Sequence, residues 1–319
     1  MENKRMMEKS KKEVYVTCNL CGGNDYVVVH EKISPKRAVR LTDKYSAAKG
    51  VLCTDQVVRC RKCGLVYINP RLEENTIIEA CSLGDDKVYV SQEEGRLNTF
   101  RKGIQFVEGH ASKGRLLDVG CAAGFFLKAA KDSGWDVTGV EPNKWLGDYG
   151  RNKFKVNVLT GTLQDASFSV KGFDVVTMWD VLEHMPDPKS GLIEANRILK
   201  DGGVLVISYP DYGSVFSKIF GRRWWFFLSH HLYYFTPKTL ERMLQEAGFE
   251  IIKKKRHTQR LKIGYMINMA KNLSSNKPAV LLFGSIHGAL KLVGLDGLQI
   301  VYYASQKDVV ARKVRGLDK

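Results

Sequence analysis

The sequence predicts a mixed α/β fold: a mostly parallel sheet with helices on both faces, preceded by a small ribbon organised by cysteines. Three features carry this expectation. From Gly114 onward, apolar β-type runs alternate with helical stretches, the order that produces a parallel sheet. The run from Leu116 to Gly124 joins an apolar strand to a helix through small residues. Near the start, Cys18 with Cys21 and Cys60 with Cys63 form two Cys-x-x-Cys pairs among short β-type runs.

Residues 1–13 are polar and charged and are expected to be disordered. The ribbon is expected over residues 14–75, with β-type runs at Val14–Thr17, Tyr26–His30, Val57–Arg59 and Leu65–Ile68. Residues 76–112 read as a helical connector broken near Gly84–Lys87, and the main domain as 113–319. Its first strand, Arg115–Val119, enters the Gly/Ala turn and a helix over Gly124–Ser133. Strand Asp136–Val140 ends at Glu141, before a helix near Trp145–Lys153 and a short strand near Val156–Leu159. Strand Phe173–Trp179 precedes a helix near Pro188–Leu199, and strand Val204–Tyr209 precedes an aromatic insertion, 211–235. A helix over Pro237–Ala247 stops at Gly248, a natural C-terminal cap. Strand Phe249–Lys254, a largely helical insertion over 258–297 and a last strand, Gln299–Ser305, complete the sheet. The last strand is expected at an antiparallel edge. No internal repeat is visible.

Hydrophobic residues make up 44% and charged residues 26% of the chain, as in an ordinary globular domain. No apolar run reaches the ~18 residues of a spanning helix. The Lys-rich start lacks the apolar core of a secretory signal. A cytoplasmic location is expected, with peripheral contact at the inner membrane face as an open alternative. The formal net charge is +16 and is unevenly spread. Residues 1–75 hold 15 Lys/Arg against 9 Asp/Glu, residues 76–210 hold 16 against 18, and residues 211–319 hold 19 against 7. Such a surface favours an anionic partner: a phosphorylated substrate, a lipid head group or nucleic acid. A merely solvated Lys-rich face is the alternative.

Leu116-Leu117-Asp118-Val119-Gly120-Cys121-Ala122-Ala123-Gly124 is the central signal. In open α/β sheets, ligands sit beyond the carboxyl ends of the strands. Small residues there admit a ligand close to the backbone, and the helix after Gly124 offers free N–H groups to a carboxylate. Glu141 lies 23 residues after Asp118 and ends the next strand, where an acidic side chain accepts ribose hydroxyls. The Gly-x-Gly-x-x-Gly run of dinucleotide enzymes is absent.

This run resembles motif I of class I S-adenosylmethionine (SAM)-dependent methyltransferases, and Val140-Glu141-Pro142 resembles their ribose-binding strand end. Ala122 stands where that family usually has Gly. The resemblance covers about residues 113–255 and the last strand. It implies a Rossmann-like seven-stranded sheet, SAM as cofactor, and cofactor contacts at Asp118, Gly120, Cys121, Ala122, Gly124, Phe125, Glu141 and Pro142. Gly161-Thr162-Leu163 stands at the family's adenine-contacting loop, which implicates Thr162 and Leu163, with Asp165 a candidate for the adenine amino group. The segment from Trp179 to Pro188 is similar to the stretch after the fourth strand in the ubiquinone-biosynthesis branch. That likeness implies cofactor contacts for Trp179 and Asp180. In some members its acidic residues and His bind a divalent ion, at the places of Asp180, Glu183 and His184 here. The alternative is that Glu183 and His184 shape the loop.

Four thiolates on two short turns, Cys18, Cys21, Cys60 and Cys63, suit tetrahedral zinc. In so short a segment the ion would stand in for a missing hydrophobic core. The 38 residues between the pairs exceed the common spacing, so a long loop near residues 32–56 must be accommodated. Cys53, Cys81 and Cys121 are expected as small buried hydrophobes. Arg59, Arg61 and Lys62 would suit a nucleic-acid module. The run Cys63-Gly64-Leu65-Val66-Tyr67-Ile68-Asn69-Pro70-Arg71, however, resembles the ribbon preceding small-molecule methyltransferases such as the deoxysugar C-methyltransferases, where it is similar to a lid over the substrate pocket.

The aromatic insertion should lie over the carboxyl edge of the sheet, where a methyl acceptor must sit. Methyl transfer needs orientation and removal of a proton, and a histidine is a suitable base. His231-Leu232-Tyr233-Tyr234-Phe235-Thr236 resembles a motif of the deoxysugar C-methyltransferases whose His is catalytic. Where that family has Glu before the His, this chain has His230. Catalytic candidates are therefore His231, His184, Glu183 and His230, with a structural role for His231 as the alternative. Arg222 and Arg223 beside Trp224, Trp225 and Phe226, together with the small apolar stretch 279–295 flanked by Lys277 and Lys291, would suit docking on a membrane surface; a helical cap packed on the sheet is the alternative and the preferred reading.

These readings imply a SAM-dependent methyltransferase acting on oxygen or carbon of a small molecule, with sugars and lipid-linked glycan precursors as expected acceptors. The alternatives are a nucleic-acid methyltransferase using the ribbon and the basic C-terminal region, or a non-catalytic SAM-binding scaffold. No Asn-Pro-Pro-Tyr-type motif for flipped bases is present.

Overall fold

The computed structural model describes residues 12–34, 39–46, 50–273 and 277–316. The expected disordered tail lies outside the described residues up to position 11, whereas Glu13–Val14 forms strand β1. The ribbon continues with β2 (Tyr26–His30), a short helix α1 (Leu41–Lys44), β3 (Val57–Cys60), β4 (Val66–Ile68) and β5 (Arg71–Leu72). Strand β1 pairs antiparallel with β5, and β2, β3 and β4 form an antiparallel sheet. The connector folds as α2 (Glu74–Ser82), α3 (Lys87–Val90) and α4 (Glu93–Glu108).

The main sheet is built from β6 (Arg115–Val119), α5 (Phe125–Asp132), β7 (Asp136–Glu141), α6 (Lys144–Phe154), β8 (Asn157–Thr160) and β9 (Phe173–Trp179). There follow α7 (Pro188–Ile198), β10 (Leu199–Pro210), α8 (Val215–Phe220), β11 (Tyr233–Tyr234), α9 (Pro237–Glu246), β12 (Phe249–Lys262), α10 (Ile263–Leu273), α11 (Lys277–Leu292) and β13 (Gln299–Lys313). The seven-stranded order is β12-β13-β10-β9-β6-β7-β8, with β13 antiparallel to both neighbours. The mostly parallel sheet expected from the alternating pattern is therefore present.

The last strand is not at the edge. It lies between β10 and β12, because β10 is buried from Val204 to Pro210 and an unpaired ladder there would leave backbone groups without partners. Val309, Val310 and Ala311 are buried and supply that partner strand. The edge falls instead to β12, whose exposed Lys253 and Lys254 suit an unpaired margin. Both late strands outrun expectation: Thr258–Lys262 pairs with Gln299–Tyr303 as a hairpin arm that carries α10 and α11. Alternate residues feed two cores, as pleating requires. Leu117, Val176, Leu205 and Ile207 share a cluster with α7 and α9. Leu116, Val175, Val204 and Val206 share one with α4 and α5. Among the described residues, no helix is long and apolar enough to cross a membrane.

The ribbon is not a separate body. Strand β11, from the aromatic insertion, adds to β4 and completes a four-stranded sheet, β11-β4-β3-β2.

Candidate active site

Strands β6 and β7 end side by side, Val119 level with Val140. The chain leaves β6 through Gly120, Ala122 and Gly124, at φ of 65°, 47° and 73°. A Cβ on Gly120 would lie 2.6 Å from Cγ2 of Val181, so a glycine is required there. The N–H groups of Gly120 and Cys121 donate to the Val140 carbonyl at 2.8 and 3.1 Å, drawing the turn over β7. Glu141 holds the other side: its Oε2 accepts from the Ala122 N–H and its Oε1 from the Asn143 N–H, each at 2.8 Å. Burial pushes the Glu141 carboxyl up to about 7, and these two N–H groups oppose the rise.

A cavity of about 840 Å³ opens over these strand ends, a size suited to a cofactor with its substrate. Gly120, Ala122, Glu141 and Pro142 line one side, and Thr162, Leu163, Trp179 and Asp180 another. The remaining cofactor candidates stand behind the turn. Asp118 is buried and its Oδ1 accepts from Thr177 Oγ1 at 2.6 Å. Burial drives that carboxyl up to about 8, against the Thr177 hydrogen bond. Cys121 packs its Sγ against Gly139, and Phe125 stacks on Tyr89 with centroids 5.7 Å apart. Gly124 is the left-handed entry to α5. Asp118, Cys121 and Phe125 are buried behind the cavity lining, where they support the turn that Gly120 and Ala122 present to it. Asp165 lines the cavity, but its Oδ2 accepts from both the N–H and the hydroxyl of Thr162, at 2.8 and 2.7 Å.

The cavity has partners that motif reading did not single out. Arg96, on α4, lies over the Tyr89 ring at 3.7 Å, and both line the cavity. Its Nε is buried without a hydrogen-bond partner, which suits the carboxylate of an amino-acid tail. No sequence signal marked Arg96, because α4 precedes the motif and reaches the site only through packing. The glycine turn without a Cβ, the Glu141 carboxylate and Arg96 together fit SAM: backbone approach, ribose acceptor and carboxylate partner.

Beyond Asp180 the wall becomes histidine. A short 3-10 turn, Leu182–His184, follows β9 and brings His184 against His230 and His231 of the insertion. Their ligand-type atoms all lie within 4.8 Å of one another, and each pair of ring centroids is 4.8 Å apart. His184 Nδ1 pairs with the His230 carbonyl at 3.1 Å, and His231 Nδ1 with the Phe226 carbonyl at 2.8 Å. His230 donates to the Lys44 carbonyl, while its Nδ1 is buried without a partner. In each ring one nitrogen is therefore held as a donor and the other keeps its lone pair. Burial keeps all three neutral: it draws His184 down to about 4 and the other two well below the ordinary value. Both oxygens of Glu183 are buried without a partner, and burial, with the Asp180 charge beside it, pushes its carboxyl well above the ordinary value. Asp180 lines the cavity. Its Oδ1 accepts from Ser208 Oγ at 3.1 Å and Gln306 Nε2 at 2.6 Å, so three histidines, rather than Asp180, Glu183 and His184, form the ligand-type cluster.

The four ribbon thiols converge: Cys18 and Cys63 Sγ are 3.3 Å apart, and Cys21 and Cys60 Sγ 3.5 Å. All four lie within 4.8 Å of one another, and none is in a disulfide. Each pair sits on a turn closed by a glycine in the left-handed region, Gly22 and Gly64. The knuckles do not face the cavity. The ribbon reaches it through its long loop, where Thr42, Tyr45 and Gly50 line the wall.

A family model described as a methyltransferase domain matches residues 91–254. Over aligned segments the chain is 31% identical to the ubiquinone biosynthesis O-methyltransferase of Psychrobacter arcticus, spanning 42% of this chain and 58% of that one. It is 30% identical to the enzyme of that name from Methylococcus capsulatus, spanning 33% and 48%. The chain thus spans about half the length of these relatives. A SAM-dependent methyltransferase structure from Archaeoglobus fulgidus superposes with a TM-score of 0.49 at 21% identity, covering 72% of this chain and all of that one.

Proposed function

Since the chain belongs to the methyltransferase-domain family and carries a class I, SAM-dependent domain, we propose that it methylates a hydroxyl oxygen of a small molecule seated against His184, His230 and His231. The observation that carries this reading is the set of neutral imidazoles, each with a backbone carbonyl on one nitrogen and a lone pair on the other, at the wall of the cavity. SAM, when bound, supplies an electrophilic methyl on its sulfonium sulfur. The chain supplies placement: Gly120 leaves room, Glu141 takes ribose hydroxyls, and Arg96 meets the carboxylate. His231 takes the proton from the acceptor hydroxyl through Nε2, with Nδ1–H fixed on the Phe226 carbonyl. Trp225 and Phe226 add an aromatic wall beside it.

The relatives named above are O-methyltransferases, which favours oxygen over carbon as the acceptor. A sugar or lipid-linked glycan precursor suits the basic C-terminal third. The test is incubation with methyl-labelled SAM and a panel of catechols, sugar nucleotides and prenyl-phosphate sugars, followed by location of the label. Label on carbon, or only on nucleic acid, would sink the proposal. A second reading has support from one observation: His184, His230 and His231 each bring one ring nitrogen within 4.8 Å of the others, a cluster that could hold a divalent ion, which would lower the pKa of an acceptor hydroxyl. Loss of turnover in chelator, restored by added ion with the ribbon zinc still in place, would favour it. The four-cysteine cluster of the ribbon is proposed to hold a structural zinc ion.

A further inference from the structure

The hairpin arm lies outside the matched family segment 91–254. Helix α11 is unusual for one facing solvent. From Pro278 to Leu290 it contains no Asp, Glu, Lys or Arg, and Leu281 and Leu282 are 71% and 59% exposed. Its last residue, Leu292, and Val293 just past it are 90% and 66% exposed. Helix α8 extends the same kind of surface, with Val215 and Ile219 exposed, and is tied to the arm by Phe216 against Tyr303, ring centroids 6.5 Å apart. An apolar surface of this extent marks a partner site. Its charge setting selects the partner. Within the arm, residues 258–303, Arg260, Lys262, Lys271, Lys277 and Lys291 stand against a single acid, Asp296. A second copy of the chain would bring two such basic rims together, whereas an anionic bilayer complements both the apolar face and its rim.

We propose that α11, the turn after it and α8 form a docking surface for an anionic lipid bilayer. The arm also sends Leu261, Tyr265 and Tyr302 to the cavity wall, so docking would place the cavity beside the bilayer. The inference stands on exposure and charge and is independent of the acceptor proposed above.

Co-sedimentation of the full chain with phosphatidylcholine vesicles, with and without phosphatidylglycerol, tests it. Binding should be about tenfold or more stronger with phosphatidylglycerol and should weaken with added salt. Leu281→Asp with Leu282→Asp should abolish it while leaving the melting temperature and SAM affinity unchanged. Lys271→Glu with Lys291→Glu, which keeps the apolar face, should remove the preference for anionic vesicles. Equal partition onto both vesicle types, or onto neither, overturns the proposal. So does a concentration-dependent dimer that the Leu281 and Leu282 substitutions dissolve.

Discussion

Tyr233 lies opposite Tyr67 in an antiparallel pair, their ring centroids 6.3 Å apart. Through this pair the aromatic insertion becomes the outer strand of the ribbon sheet, and the Ile68 N–H donates to the Leu232 carbonyl at 2.9 Å. The ribbon is thus the support on which His230 and His231 stand. Asn19, within the first knuckle, bonds Asp187 and the Lys189 N–H, fastening the segment just past His184 as well.

Loss of the ribbon ion should therefore be felt at the histidines. About one zinc per chain is expected by elemental analysis, and Cys60→Ser with Cys63→Ser should remove it. Because a tetrathiolate site contributes folding free energy directly, the double variant should melt at least about 5 °C lower and lose methyl transfer. A wild-type chain without zinc, or a double variant that keeps both its zinc and its melting temperature, would refute the assignment.

Gly120→Ala should abolish SAM binding measured by calorimetry. The added Cβ meets Val181 at 2.6 Å in a left-handed conformation that alanine resists. Glu141→Ala should weaken binding by about tenfold or more, since it strips the acceptor from the Ala122 and Asn143 N–H groups and from the ribose. Unchanged affinity in both variants would overturn the cofactor assignment.

His231→Gln should lower turnover by about 100-fold or more while leaving SAM affinity unchanged, because its ring stands beyond Asp180 on the acceptor side. His231 is also buried and bonded to Phe226, so a matched melting temperature is needed for the comparison. Full turnover at an unchanged melting temperature would leave His231 a structural residue and pass the role of base to His184 or His230.

The sheet and its cofactor turn were legible because they are local: an apolar strand, a small-residue turn and a helix lie within one short run. The Cys pairs were legible for the same reason. The place of β13 was not, because an interior antiparallel strand and an edge strand share one residue pattern and differ only in what they pair with. Arg96 and the joining of His184 to the His230–His231 pair were likewise hidden, since α4 and the insertion reach the cavity by packing across the fold. The expected strand stops at Lys254, and its extension shows only once Asp308 is seen opposite Lys255.

That register also creates a buried titrating pair. His257 Nδ1 lies 2.7 Å from Asp308 Oδ1, both residues are buried, and Lys255 Nζ is 3.4 Å from the other oxygen. Burial alone would lower the His257 pKa. The charge and hydrogen bond of Asp308, helped by Asp180, outweigh it and raise the value above the ordinary one. A histidine whose pKa is raised on folding contributes stability that is fully present below its unfolded value, about 6.5, and is lost as pH rises through the folded value. Asp308→Asn should thus destabilise the chain most below about pH 6.5, by roughly 3–5 kcal/mol for a broken buried pair, and less at higher pH. Urea unfolding of wild type, Asp308→Asn and His257→Gln across this range is the measurement. A gap between wild type and Asp308→Asn that is constant with pH would show that His257 stays neutral throughout, and that the pair acts as an ordinary hydrogen bond.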